Sequence, residues 1–101
     1  MGQRLDLHDL LLEVLGGENV YFQPPPSLQM VYPCIVYKRD LADTDFADNG
    51  PYRSKKRYMV TVIDRDPDSA IPDRVAALPM CLFNRHYTAD NLNHDVFNLF
   101  F

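Results

Sequence analysis

The aspartates at 64, 66 and 68 come closest to spelling out a chemistry. Asp64-Arg65-Asp66-Pro67-Asp68 opens like a calcium loop, in which alternate carboxylates converge on one hard cation. With Asp64 as the first position, the sixth should be glycine and is Ser69; the twelfth should be glutamate and is Val75. The EF-hand reading is rejected, and a looser cation site is its remnant. The spacing predicts instead a turn with aspartates that cap the helix that follows.

Cysteine and histidine are the other candidates. Cys81 and His86 are five apart, and Cys34 and His94 stand elsewhere. Structural zinc generally uses short paired spacings such as C-x₂-C, and the sequence has none. A nucleophilic Cys–His pair can form only through the fold. A small hydrolase working through Asp64, Asp66, His86 or His94 is therefore the reading set against a structural role. Glycine-rich phosphate loops, G-x-S-x-G and H-E-x-x-H are all lacking. Four glycines in 101 residues leave little provision for close backbone approach to a ligand. The residues favour no enzyme, no cofactor and no metal.

Charge narrows the partners. The formal net charge is −4, whereas phosphate neutralisation calls for a basic footprint. Sequence-specific nucleic-acid binding is not expected. The charges are clustered, however: Asp40, Asp43, Asp45 and Asp48 crowd one stretch, and Arg53, Lys55, Lys56 and Arg57 follow at once. Along an extended strand Arg53, Lys55 and Arg57 share one side. They serve either as a solvated edge guarded against aggregation or as one half of a charge contact with the acidic stretch. That contact can be made within one subunit or head-to-tail between subunits.

The elements that must position these residues are legible in the hydrophobic periodicity. Leu7, Leu10, Leu11, Val14 and Leu15 trace one helical face, and Gly16-Gly17 stops it, predicting a helix over about 3–16. Residues 18–23 read as a short strand, and Pro24, Pro25 and Pro26 as an extended arm. Cys34–Lys38 is a second strand, apolar on both faces. Residues 40–51 form a polar loop closed by Asn49-Gly50-Pro51.

Tyr52–Asp64 is a long strand, with Tyr58, Val60 and Val62 on one side and Met59, Thr61 and Ile63 on the other. Apolar on both sides, it is predicted to be central, with one face under helices and the other against something else. A second helix runs to about Leu78, capped by Asp68 or Ser69, with Pro72 in its first turn and Val75, Ala76 and Leu78 inward. Cys81–Thr88 and His94–Phe101 are strands joined by a polar turn over Ala89–Asn93. The expectation is one α+β domain over 1–101, ordered α-β-β-β-α-β-β, with a mostly antiparallel or mixed sheet of about four to five strands. Cys34 and Cys81, inside apolar runs, are expected as buried free thiols. No apolar run is long enough to span a bilayer, and the first residues lack the features of a secretory signal.

Three stretches carry a family resemblance: NVYFQPPPSLQMVYPCIVYKRD, DNGPYRSKKRYMVTVIDRDPDSAIPDRVAALP and FNRHYTADNLNHDVF. Together they resemble the small tail-terminator or tail-completion proteins of long-tailed, siphovirus-like bacteriophages, through most of the chain. The resemblance implies a structural virion protein assembled in the host cytoplasm. It implies a homo-oligomeric ring, usually a hexamer, seated on the head-proximal end of the tail tube. Such a ring ends tube polymerisation and offers a head-to-tail joining surface. Its partners would be further copies, the major tail-tube protein and the head-completion or connector protein, with DNA free to pass through the ring. A head-side neck protein is the alternative. The interface residues expected on this reading are Asp40, Asp43, Asp45, Asp48, Arg53, Lys55, Arg57 and the arm Pro24, Pro25 and Pro26.

Overall fold

The computed structural model describes residues 4–40 and 56–101. Its elements are α1 (Arg4–Leu15), β1 (Val20–Phe22), β2 (Cys34–Arg39), β3 (Arg57–Asp64), α2 (Ile71–Ala76), β4 (Cys81–Ala89) and β5 (Leu92–Phe100). Helix α1 forms where leucine spacing predicts it. Leu7, Leu11 and Leu15 are buried, Asp6 sits in the first turn, and Gly16 at φ 76° takes the left-handed conformation that ends the helix.

The strands form one five-stranded sheet in the order β1-β2-β3-β5-β4. β1 runs parallel to β2, and every other pair is antiparallel, so the sheet is mixed. β3 is the central strand, as its two apolar sides require. Val60 stands opposite Tyr37 on one neighbour and Phe97 on the other, while Val62 faces Ile35 and Tyr58 faces Leu99. These side chains and the buried residues of both helices form the core. Helix α1 packs on β1 and β2, and α2 on β4 and β5, both against the same face.

Five expectations need correction. The second helix is shorter than predicted, covering Ile71–Ala76. Its N-cap is Ala70, which makes no side-chain capping bond; Ser69 Oγ accepts from the Ile71 amide at 3.2 Å one residue earlier. Ala76 is exposed, because in so short a helix only Ile71 and Val75 face the sheet. The strand predicted over 52–64 is described from Arg57, with Lys56 outside it and 52–55 outside the described residues. The last turn is two residues, not five: Asp90 and Asn91 at φ 55° and 63° make the tight hairpin connection that twisted strands favour, so Asn93 belongs to β5.

Burial separates two leucines on opposite sides of α1. Leu11 is fully buried and Leu5 is 63% exposed. Leu11→Ala is expected to lower unfolding free energy by about 2–5 kcal/mol. Leu5→Ala should change it by no more than about 0.5 kcal/mol, as read by urea denaturation of each variant.

Candidate interaction surface

The pleat that sends Tyr58, Val60 and Val62 under the helices turns Met59, Thr61 and Ile63 to the other face. The registers extend that face: Lys38 stands opposite Met59, Val36 opposite Thr61, Cys34 opposite Ile63 and Val96 opposite Thr61. On the outer pair, Arg85 faces Val96 and Tyr87 faces His94. No helix among the described residues covers this face. Met30, from the loop between β1 and β2, reaches over one side of it.

The result is an open groove of about 330 Å³. Met30, Val36, Met59, Thr61 and Ile63 make its apolar lining, and Lys38, Arg85, Tyr87 and His94 its polar side. Two of these are fixed by stacking. The His94 ring lies on Tyr87 with centroids 4.6 Å apart and planes 12° apart, while the Arg85 guanidinium stands 5.6 Å over the same tyrosine. His94 Nδ1 donates to the Leu92 carbonyl at 3.1 Å. Among the described residues the lining contains no carboxylate, so the groove is cationic on a chain whose net charge is −4. An apolar, cationic concavity is suited to an apolar surface that carries acids.

The predicted interface residues divide into three sets. Asp40 and Arg57 meet within the chain, where the ends of β2 and β3 lie side by side: Arg57 Nε is 3.0 Å from Asp40 Oδ2, and Asn98 Nδ2 donates to the same oxygen at 3.2 Å. For this pair the intrasubunit form of the charge contact is the one present. Pro24 is half-buried and Pro25 and Pro26 are exposed, in the loop between β1 and β2. Asp43, Asp45, Asp48, Arg53 and Lys55 lie outside the described residues. Sequence reasoning missed Lys38, Arg85 and Tyr87 and weighed His94 only as a catalytic candidate; the four lie on three strands and meet only through register. It predicted the strand β4 but not its place at the sheet's edge, where Leu82 and Phe83 are 65% and 59% exposed.

Asp64 Oδ1 accepts from the Asp66 amide at 3.0 Å, and Asp66 Oδ1 from the Asp68 amide at 2.9 Å, so the expected turn is present but its aspartates bond within it instead of capping the helix. Cys34 is buried and Cys81, expected to be so, is half-buried because β4 lies at the sheet's edge. Burial pushes the Cys34 thiol up to about 12, with Asp64 adding to the shift, and burial alone pushes Cys81 up to about 11. Neither is a thiolate near neutral pH, so neither is an activated nucleophile.

On the helical side, the hydroxyl of fully buried Tyr37 accepts from Arg4 Nη1 at 3.2 Å and lies 2.7 Å from His8 Nδ1. Desolvation raises the Tyr37 pKa, with Arg4 opposing it. The outward face of α1 carries Asp9 and Glu13, both exposed.

No family model matches the chain, and neither a curated protein nor a solved structure does.

The thiols set a pH dependence with a definite sign. Folding raises both pKa values, so the folded state holds each proton more tightly. Their contribution to stability is whole below 9.0, the ordinary value, and is lost as pH rises through about 11 for Cys81 and about 12 for Cys34. Unfolding free energy measured from pH 8 to 11 should therefore fall less steeply in Cys81→Ala than in the parent chain.

Proposed function

We propose that this chain is a structural subunit of a phage virion. On this reading its copies assemble into a ring at the head-proximal end of the tail tube, ending tube growth and presenting the surface that joins tail to head. Its partners are other copies of itself, the major tail-tube protein and a head-side connector. The observation that carries the structural half is the uncovered sheet face, where a small domain leaves an apolar, cationic groove on one side of its central strand. An apolar surface with a basic rim is of the kind that marks an interaction site, and it supports assembly. The three stretches of sequence that resemble tail-terminator proteins supply the biological half.

Adding the protein to polymerising tail-tube subunits tests the proposal. The expected outcome is tubes of limited length carrying a ring-sized particle at one end, seen by electron microscopy, with light scattering that plateaus early. A protein that stays monomeric and leaves tube length unchanged would overturn it. Binding to the portal side instead would move the subunit to the head half of the neck.

A further inference from the structure

The two broad faces of the domain are chemically opposite. On the helical face, Arg4 and His8 are turned inward onto Tyr37, which leaves α1 an outer stripe of Asp9 and Glu13 flanked by Leu5. All three side chains are exposed, Leu5 at 63%. On the open sheet face, the groove offers Lys38 and Arg85 around half-buried Met59 and Val36, with no carboxylate among the described lining residues. One surface is acidic with a leucine beside it; the other is basic with an apolar floor.

We propose that the open sheet face is occupied by the α1 outer face of a second copy of this chain, with Asp9 and Glu13 meeting Lys38 and Arg85 and Leu5 packing toward Met59. The inference rests on the ring reading and names the contact that builds the ring. A layer of helix on an uncovered sheet face is the ordinary way such a face is buried, here completed between molecules. Charge complementarity selects the occupant: the acidic stripe and the cationic groove belong to the same chain. Because they lie on opposite sides of the sheet, each copy donates one and accepts on the other. The contact is therefore heterologous, and it closes into a ring if the rotation between copies permits. A two-fold dimer through either face alone would set like charges against like.

The arrangement makes a charge-swap experiment decisive. Lys38→Glu with Arg85→Glu gives a chain acidic on both faces, and Asp9→Lys with Glu13→Lys gives one basic on both. Each double variant alone should associate about tenfold or more weakly than the parent in sedimentation velocity at low salt. Mixed in equal amounts they should reassociate, since each then meets its opposite on both faces. The quadruple variant should associate by itself. Leu5→Ala should weaken association while leaving unfolding stability unchanged. Thermal unfolding of every variant separates lost contact from lost fold.

Parent-like association of both double variants overturns the contact, as does weakening that mixing fails to restore. Association insensitive to all four substitutions but abolished by Phe83→Glu would place the contact on the β4 edge instead. Those outcomes leave the ring reading intact. A parent chain that stays monomeric and does not end tube growth removes both.

Discussion

Five strands present two broad faces, and the helices among the described residues can cover only one of them. The twelve residues of α1 span about 18 Å and the six of α2 about 9 Å at the helical rise. Both are spent on the same side, over Tyr37, Tyr58, Val60, Val62, Phe97 and Leu99. β3 nevertheless carries apolar side chains on both sides, with Ile63 only 5% exposed on the helix-free one. The chain therefore builds a two-layer domain from a central strand that would suit three layers. Most of what is distinctive about the molecule follows from that mismatch.

The covered side is held by more than hydrophobic contact. Tyr37 sits at the centre of the core with its hydroxyl buried, and such a group costs free energy unless it is bonded. Arg4 and His8 answer it from α1, and the Arg4 guanidinium also stands 4.4 Å over the Phe22 ring. This fixes the rotation of α1 about its axis. Two basic residues are drawn inward, and the acids of the same helix are left to the outside. The acidity of the outer helical face thus accompanies the inward turn of the leucines and of the two basic residues that satisfy one tyrosine.

Period-based features were legible in the sequence. The leucine spacing of α1, the two-sided alternation of β3 and its central place can be read from residue order alone, because local periodicity is what builds them. Boundaries were harder. Ser69 and Pro79 suggested a longer second helix, but the chain leaves the helix after Ala76, and Leu78 is half-buried outside it. Asn93 reads as a turn residue, yet in β5 its amide donates to the carbonyls of Asp64 and Arg65 at 3.3 and 3.4 Å, tying the hairpin to the end of β3. The groove was not legible. Lys38 and Arg85 are far apart in sequence, and only the registers of β2 with β3, β3 with β5 and β5 with β4 bring them to one face.

Of the charge contact weighed both within and between subunits, Asp40 and Arg57 make the form within the chain, which secures the open end of the β2–β3 pair, where the two backbones also bond. On the proposed ring reading, the surfaces that join copies are ones that sequence patterning did not single out: the groove and the outer stripe of α1. The central claim is that the helix-free face is where one copy meets the next. A density map of the assembled particle tests it most directly. The expected result is the α1 helix of a neighbouring copy lying across Met59, with carboxylates near Lys38 and Arg85. A map in which that face looks onto solvent, with copies joined elsewhere, would contradict it.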